Sequence, residues 1–388
     1  MGTESREIAV VTGTRAEYGL LRRTISMIDQ SEELDLNLFV TGMHLSPTHG
    51  ETVTEINADG FEINYTIDMA LDSDSMVTMA KSLGIGISSF AEGFRQVGPD
   101  IVLVLGDRTE AFAAGIAASY MNIPVAHIGG GQISGGVVID GLARHALTKL
   151  SHIHFATSEE NAQRISQLGE QEWRIVPTGA LGLDQIHDGE YTDPEELRDR
   201  FDVPKDKRLV VVLQHPTTTR PEEAREQIGR TIDAVTDFDV FPFVIYPNSD
   251  RGSSAMIEEL ERMGDGSSAP VVVENLPRDD FLGLLDLASV MVGNSSSGLI
   301  EAPSFGLPVV DVGPRQAGRQ RGENVISVEY DTDEIAAALE TALHDESFRQ
   351  RAEKCENPFY FDGAADRIHE MLAEIELGSA LVEKATEL

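Results

Sequence analysis

Short apolar runs alternate with longer amphipathic segments along most of the chain. Runs rich in valine, isoleucine and leucine are typical of strands that are buried on both faces of a parallel sheet. The segments between these runs place apolar residues at helical spacing. This alternation of strand and helix predicts an α/β protein with parallel sheets.

The pattern also predicts where the elements lie and where the chain divides. In the first half we expect strands at 7–12, 35–41, 101–105, 124–128, 152–156 and 174–177, and helices at 16–30, 80–97, 108–121, 139–150 and 159–168. In the second half we expect strands at 208–213, 242–246, 271–274, 290–292 and 309–312. The segment from His187 to Pro194 is rich in acidic and turn-forming residues and interrupts the alternation. We therefore predict a first domain at 1–186, a second at 187–358 and a helical tail at 359–388.

A polar turn, Gly293–Gly298, stands between the apolar run Val290–Val292 and a segment that permits a helix. Turns of this kind can direct backbone N–H groups and hydroxyls, here those of Ser295 and Ser296, at an anion. Glu301 follows on the predicted helix, where a carboxylate can accept the hydroxyls of a ribose. Phosphate and ribose together indicate a nucleotide or a nucleotide-sugar. An ordinary Ser/Asn helix cap explains the turn by itself equally well.

Three further turns, each after a predicted strand, carry an arginine: Gly13–Gly19 with Arg15, Gly106–Glu110 with Arg108, and Gly313–Arg319 with Arg315. Arginine forks are suited to phosphate groups, although a solvated surface loop would also explain them. In open α/β sheets the ligand lies beyond the carboxyl ends of the strands. The set of turns therefore predicts a phosphate-rich ligand.

These turns belong to a series of blocks that resembles the hydrolysing UDP-N-acetylglucosamine 2-epimerases of sialic-acid-type sugar biosynthesis. The blocks are TGTRAEYG (12–19), LGDRTEAFA (105–113), RHALTKLSHIHF (144–155), LQHPTTT (213–219), YPNSDRGS (246–253), GNSSSGLIEAPSFGLP (293–308) and GPRQAGRQRGENV (313–325). They follow one another in the order of the family. The resemblance implies two Rossmann-like domains of the glycosyltransferase B type, with a cleft between them for the nucleotide-sugar. It also implies that the tail packs back on the first domain.

The reaction implied by the resemblance has two stages. A base removes the C2 proton of UDP-N-acetylglucosamine while UDP leaves C1, and water then adds to the glycal to give N-acetylmannosamine. The candidate catalytic residues are Asp107, Asp140, His215 and Glu110. The candidate substrate-binding residues are Arg15, Glu17, Arg108, Gln132, Arg144, His145, Asn248, Asn275, Ser295, Ser296, Glu301 and Arg315. Of these, Arg15, Arg315 and the two serines are expected on the diphosphate, and the two asparagines near the uracil.

Structural roles remain open for several of these residues. His215 follows an apolar strand and could simply cap it, although the resemblance places a histidine of the active site there. Arg108 could neutralise its acidic neighbours as a surface pair. Asp140 and Arg144 lie four residues apart on a predicted helix and could form an ordinary helix ion pair.

One loop departs from the family. Many members carry an acidic residue after the histidine at position 127, where this chain has Gly129 or Gln132. Glutamine cannot take a proton at neutral pH, but its amide can hydrogen-bond a sugar. We therefore expect an active enzyme in which Gln132 binds the sugar while Asp107 and Asp140 share the acid–base work.

Other functions remain compatible with the same blocks. These are a 2-epimerase of a UDP-diacetylbacillosamine-like sugar, a non-hydrolysing UDP-N-acetylglucosamine 2-epimerase, a glycosyltransferase of the same fold, and a non-catalytic nucleotide-sugar sensor. The product of the reaction separates them, because only a hydrolysing epimerase releases the free sugar together with UDP.

Composition limits the metals, cofactors, cellular locations and partners that we expect. The single cysteine, Cys355, excludes an intramolecular disulfide and a multi-cysteine metal site, and we predict neither a metal nor a cofactor. No apolar run approaches the ~20 residues of a membrane span, and the start has no signal-peptide pattern, so a cytoplasmic location is expected. A net charge of −36 argues against nucleic acid as a partner. The resemblance implies a homodimer or a homotetramer.

The acidity of the chain generates a first prediction. Against 66 acidic residues there are 30 basic ones, of which only six are lysines. Since salt at 1 M shortens the Debye length to about 3 Å, it screens this self-repulsion, and we predict a halophilic source. Refolding yield and enzyme activity should therefore rise from low to molar KCl. Full stability in the absence of salt would indicate an ordinary acidic protein instead.

Overall fold

The computed structural model describes residues 5–45, 52–69, 71, 76–133, 138–217, 219–247, 250–263 and 270–385, without the side chains of 76, 138 and 140. The chain divides into two compact units. The N-terminal unit comprises Met1–Gln132, Ile139–Asp184 and Tyr360–Leu388, and the C-terminal unit comprises Ile133–Val138 and Gln185–Phe359.

The N-terminal unit is built on a parallel sheet with the order β3-β2-β1-β4-β5-β6-β7 among the described residues. Its strands are β1 (Arg6–Thr12), β2 (Leu34–Thr41), β3 (Ile63–Ile67), β4 (Ile101–Leu105), β5 (Val125–Ile128), β6 (Ile153–Ala156) and β7 (Ile175–Pro177). The α-helices are α1 (Arg15–Asp29), α2 (Val53–Ala58), α3 (Met76–Val97), α4 (Thr109–Tyr120), α5 (Val138–Leu150) and α6 (Glu159–Gln167), and α7 (Leu183–His187) lies at the boundary between the units.

Strand β1 shows why this sheet is covered on both faces. Ile8 and Val10 belong to one apolar cluster, which includes α1, while Ala9 and Val11 belong to another, which includes α3 and α4. All four side chains are buried. Because side chains alternate between the two faces of a strand, a continuous apolar run requires helices on both sides.

The C-terminal unit has the same architecture. Its parallel sheet has the order β10-β9-β8-β11-β12-β13 among the described residues. The strands are β8 (Arg208–Leu213), β9 (Val240–Ile245), β10 (Val271–Val273), β11 (Val290–Gly293), β12 (Val309–Val312) and β13 (Val325–Val328). The helices are α8 (Pro194–Arg200), α9 (Ala224–Thr236), α10 (Ser253–Met263), α11 (Arg278–Leu287), α12 (Ser297–Ile300), α13 (Thr332–His344) and α14 (Glu346–Glu353). A 3-10 helix, Pro314–Gln316, follows β12.

The tail belongs to the N-terminal unit. Helix α15 (Ala364–Glu374) contributes Ile368 and Leu372 to the apolar cluster of β1 and α1. After α16 (Ser379–Val382), the ammonium of Lys384 lies 2.6 Å from the carboxylate of Glu170, whose side chain is fully buried. Lys149 and His154 contact the same carboxylate. Apolar packing and a buried ion cluster therefore hold the tail against this unit.

The predicted α/β architecture with two parallel sheets is confirmed, but two strands and three short helices differ from the sequence-based expectation, with α2 and α7 absent from the predicted helices. Strands β3 and β13 were not predicted, because their apolar residues alternate with polar ones or form only a short run. The helix expected after Gly293 is the single turn α12, and Glu301 caps its C-terminus rather than lying on its first turns. Pro303 lies at the start of the 3-10 helix that follows. Because proline has no N–H group to donate, the α-helix does not continue through this position.

Candidate functional site

In the N-terminal unit, the predicted site residues follow the carboxyl ends of three neighbouring strands. Glu17 comes after β1, Asp107 to Glu110 come after β4, and Gln132 comes after β5. Because the strands are parallel and adjacent, their ends lie on one edge of the sheet. The sheet therefore brings acidic and polar groups together that are far apart in sequence.

Glu17 lies in the first turn of α1 and is buried. Thr14 caps the helix by accepting a hydrogen bond from the Glu17 N–H, and the Glu17 carboxylate accepts one from the N–H of Gly13 at 2.9 Å. Burial, together with the charge of Glu110, raises the pKa of Glu17 from 4.5 to about 7, while the charge of Arg108 acts in the opposite direction. Near neutral pH, Glu17 can therefore either donate or accept a proton.

Glu110 is also buried, in the first turn of α4. Its Oε2 lies 3.5 Å from Nε of Arg108 and has no hydrogen-bond partner within the described part of the chain. Two glycines make room for this side chain, since a Cβ at Gly13 would lie 2.7 Å from Cγ and a Cβ at Gly42 2.4 Å from Oε1. A buried carboxylate oxygen without a donor is costly for stability, and such groups are frequent where a ligand or a proton is bound.

A third group is centred on Arg144, a buried residue of α5. Its guanidinium pairs with Asp107 and donates a hydrogen bond to the backbone carbonyl of Gln132 at 3.1 Å. The amide of Gln132 in turn donates to the hydroxyl of Thr157 at 2.9 Å. The sequence did not indicate Thr157, because it follows β6 without a recognisable motif. Arg144 thus connects the two loops that carry Asp107 and Gln132.

Three further candidates belong to this unit. Arg15 pairs with Glu55 of α2 at 2.7 Å. His145 follows Arg144 on α5, and its pKa is lowered by burial and then by the guanidinium charges of Arg144 and Arg164. The side chain of Asp140 lies outside the described residues, so its expected role stays a prediction.

In the C-terminal unit, the candidates follow three other adjacent strands. His215 comes after β8, Ser295 after β11 and Arg315 after β12. Burial lowers the pKa of His215 to about 3, with a further contribution from the charge of Arg315. The imidazole is therefore neutral at physiological pH. It can exchange a proton or donate one hydrogen bond, but without substrate it does not supply a positive charge.

The turn after β11 positions hydroxyl groups and a carboxylate. The Ser295 hydroxyl is buried and lies 3.3 Å from the hydroxyl of Ser297, while Ser296 precedes α12. Glu301 is buried, with Oε1 at 3.5 Å from Arg278. Since α12 has a single turn, the hydroxyls and N–H groups of the turn, rather than a long helix dipole, are the groups suited to an anion.

The two asparagines expected near the uracil stay predictions. Asn275 is exposed in the loop after β10, and Asn248 lies outside the described residues. Two residues that the sequence analysis did not single out are buried beside Arg315. Asn294 accepts a hydrogen bond from Arg315 at 3.1 Å through its backbone carbonyl. Asp311 lies in the apolar strand β12, where burial raises the pKa of its carboxyl to about 6; an isolated acid in such a strand was the available signal.

The buried acid Glu17 generates a prediction on stability. Because its pKa is higher in the folded protein than the ordinary 4.5, the folded state binds the proton more tightly, and wild-type stability falls as pH rises from about 4.5 to about 7. Glu17→Gln keeps the acceptor for Gly13 and cannot ionise. Relative to wild type, the variant should gain about 2 kcal/mol in the free energy of unfolding between pH 5 and pH 8, measured with urea. The exposed substitution Glu62→Gln controls for the loss of one charge. An identical difference at both pH values would contradict the prediction.

Three comparisons with known proteins agree with this arrangement. The family model described as UDP-N-acetylglucosamine 2-epimerase matches residues 26–373. The UDP-N,N'-diacetylbacillosamine 2-epimerase (hydrolyzing) of Legionella pneumophila is 39% identical over 98% of both chains. Polysialic acid biosynthesis protein P7 of Escherichia coli is 33% identical over 92% of this chain and 91% of its own length.

The fold comparison gives the same picture. The structure of UDP-GlcNAc 2-epimerase from Neisseria meningitidis, bound to UDP-GlcNAc, superposes with a TM-score of 0.82 at 18% identity, covering 95% of this chain and 100% of its own. The predicted fold class, two Rossmann-like domains of the glycosyltransferase B type, is confirmed. With a family model that spans most of the chain and relatives more than 30% identical over nearly all of it, this protein belongs to the UDP-N-acetylglucosamine 2-epimerase family.

Proposed function

We propose that this protein is a hydrolysing 2-epimerase of a UDP-linked 2-acetamido sugar. The observation that supports this most is the different chemistry of the two units. Buried carboxyl groups, those of Glu17 and Glu110, gather at the strand ends of the N-terminal unit. Hydroxyls, an arginine and a neutral histidine gather in the C-terminal unit. Proton transfer at a sugar needs the first set, and a departing diphosphate needs the second.

In the proposed first stage, a carboxylate removes the proton from C2 while the C1–O bond to UDP breaks. The electron pair of the C2–H bond forms the C1–C2 double bond of the glycal, and the pair of the C1–O bond leaves with UDP. Asp107 and Asp140 are the proposed acid–base pair, with Arg144 fixing the first of them. Negative charge grows on the diphosphate, so donors arranged before the reaction stabilise the transition state.

In the proposed second stage, water adds across the glycal. Its oxygen bonds to C1, a proton enters C2 from the face opposite to the one that lost it, and the free 2-epimer is released. Glu17 and Glu110 are proposed for this stage because the raised pKa of Glu17 keeps its carboxyl partly protonated near neutral pH. A carboxyl group that is partly protonated near neutral pH can act as the general acid that donates the proton to C2.

The groups proposed for UDP are Ser295, Ser296 and Arg315, with Arg15 and Arg108 as further cations and Glu301 on the ribose. His215 is proposed as an acid–base group beside the diphosphate. The negative charge of a bound diphosphate raises the pKa of an adjacent imidazole and opposes the burial that lowers it. Substrate binding would therefore make His215 a better proton donor to the leaving group.

Two sugars are candidates for the substrate. The Legionella relative, at 39% identity, is named for UDP-N,N'-diacetylbacillosamine, and this similarity favours that sugar. UDP-N-acetylglucosamine, the expectation from the sequence, is the second candidate, and a Neisseria meningitidis relative named for it is 32% identical over 87% of both chains. The two sugars differ at C4, which carries an acetamido group or a hydroxyl, and at C6, which is a methyl or a hydroxymethyl group.

The location, the oligomeric state and the partners of the enzyme are also proposals. The family resemblance supports a cytoplasmic homodimer or homotetramer that takes a UDP-sugar and binds neither nucleic acid nor a membrane. Within the described residues, no helix combines the length and the apolar character that crossing a bilayer requires.

Product analysis in D₂O tests the proposed reaction. With either UDP-sugar, the wild type should release UDP and a free sugar that carries deuterium at C2, both visible by NMR. His215→Ala should lower turnover by about 10²-fold or more, as expected for an acid–base group. His344→Ala removes a half-exposed imidazole on α13 and should leave turnover unchanged.

Each other product pattern contradicts this reaction in a recognisable way. Retention of hydrogen at C2 excludes the elimination, and an epimer still linked to UDP identifies a non-hydrolysing enzyme. Transfer of the unchanged sugar to an acceptor identifies a glycosyltransferase. The ratio of kcat/KM for the two UDP-sugars then decides which of them is the substrate.

Gln132 provides a separate prediction. Its amide is engaged with Thr157, so Gln132→Glu replaces a donor by an acceptor at a position proposed to bind the sugar. We expect KM to change several-fold while kcat stays within about 3-fold of wild type. Gln167→Glu makes the same change at an exposed position of α6 and should alter neither constant. An inert wild type that gains turnover through Gln132→Glu would show that this position must carry an acid.

A further inference from the structure

Asn294 is fully buried between the turn that carries His215 and the turn that carries Arg315. Each of its backbone and side-chain polar atoms makes a hydrogen bond. A buried side chain with this degree of satisfaction is held in one orientation. It follows that the segments bonded to Asn294 are also held relative to one another.

The side chain of Asn294 binds the backbone of His215 from both sides. Its Oδ1 accepts a hydrogen bond from the His215 N–H at 2.7 Å, and its Nδ2 donates one to the His215 carbonyl at 2.9 Å. Since the two backbone groups differ, only one orientation of the amide satisfies both. The second amide proton is directed at the hydroxyl of Tyr330, 3.1 Å away. That hydroxyl also bonds Thr217, two residues after His215, at 3.0 Å.

The backbone of Asn294 also bonds the residue that ends β8 and the turn that carries Arg315. Its N–H donates to the carbonyl of Leu213 at the end of β8. Its carbonyl accepts hydrogen bonds from Nη1 of Arg315 at 3.1 Å and from the amide of Gln316 at 2.7 Å. The direction of this carbonyl therefore helps to decide where the guanidinium of Arg315 lies.

Close approach of the backbone makes these contacts possible. Gly293, at φ +133°, lies so near β8 that a Cβ there would be 2.2 Å from the carbonyl oxygen of Leu213. Gly313, at φ +79°, lies against Tyr330, and a Cβ there would be 2.3 Å from its ring. Only glycine tolerates both the contact and the positive φ at these positions. Gly293 and Gly313 therefore allow the close backbone approach on which the hydrogen bonds of Asn294 depend.

We infer that Asn294 is a positioning residue that couples the acid–base group His215 to the diphosphate-binding group Arg315. This inference rests on the proposed function and adds to it the residue that orients both groups. Asn294 itself has every polar atom engaged by the protein, so it acts through its neighbours rather than on the substrate. The charged or titratable groups that face it are His215, Arg315 and Tyr330.

A double-mutant cycle with UDP as the probe tests the coupling. Calorimetry gives the UDP affinity of wild type, Asn294→Ala, Arg315→Ala and the double variant. Arg315→Ala should weaken UDP binding by about 10-fold or more, the usual effect of losing a charged hydrogen bond. Asn294→Ala keeps the backbone carbonyl that binds Arg315 but removes the side chain that holds this carbonyl in its direction, so it should weaken UDP binding by about 10-fold. If Asn294 acts through Arg315, the double variant should bind UDP within about 3-fold of Arg315→Ala alone, because residues in contact are not additive.

Turnover provides a second readout. Asn294→Ala should lower kcat in the wild-type background but change it little in a His215→Ala background, since the group that it orients is then absent. Ile232→Val, a substitution in the core of the same unit, removes packing volume away from the site and should leave UDP affinity and kcat unchanged. Circular dichroism confirms that each variant is folded at the temperature of the assay.

If Asn294→Ala does not fold, Asn294→Asp replaces it in the cycle. The isosteric carboxylate keeps an acceptor for the His215 N–H but loses the donor to the His215 carbonyl. Unchanged UDP affinity, or losses that multiply in the double variant, would overturn the inference. If the wild type binds UDP but shows no turnover, the proposed reaction is wrong, and the double-mutant cycle with UDP still tests the coupling through Asn294. If the wild type does not bind UDP, both the proposed reaction and the coupling are wrong.

Discussion

Burial of parallel strands on both faces is the constraint on which the rest of this structure depends. An apolar strand such as β1 or β8 has to be covered by helices on both sides, so most strands are followed by a turn into a helix that packs on the sheet. All carboxyl ends then lie on one edge of each sheet. The polar turns gather there because every other part of the strands is inside the core.

The second requirement is that polar groups brought to this edge find partners. In the C-terminal unit, Asn294 provides partners by bonding three segments at once: the end of β8 with His215, the turn with Arg315, and Tyr330. In the N-terminal unit, Arg144 holds Asp107 and the backbone of Gln132 together. Glu110 is the contrasting case, since one oxygen is buried without a hydrogen-bond partner among the described residues. Satisfied groups give the edge its rigidity, and the unsatisfied one is where chemistry is proposed.

Burial shifts the pKa values of the acid–base groups in opposite directions in the two units. Burial acts on both, but it raises the pKa of an acid such as Glu17 and lowers that of a base such as His215. Both shifts favour the neutral form, which is the protonated carboxyl for Glu17 and the unprotonated imidazole for His215. Each unit therefore contains an uncharged group that can take part in proton transfer. This complementarity is what the two-stage reaction proposed here requires of its acid–base groups.

The sequence by itself determined the α/β class and most strands and helices, because continuous apolar runs and helical periodicity are local signals. It missed β3 and β13, whose patterns are short or interrupted, and it placed Glu301 on a longer helix where α12 is a single turn. Motifs identified the family and named candidates such as His215 and Arg315. Only the tertiary structure placed Thr157 on Gln132, left an oxygen of Glu110 buried and gave Asn294 its partners. Those contacts join residues from different strand ends, and their geometry depends on how closely the strands approach, which no local pattern encodes.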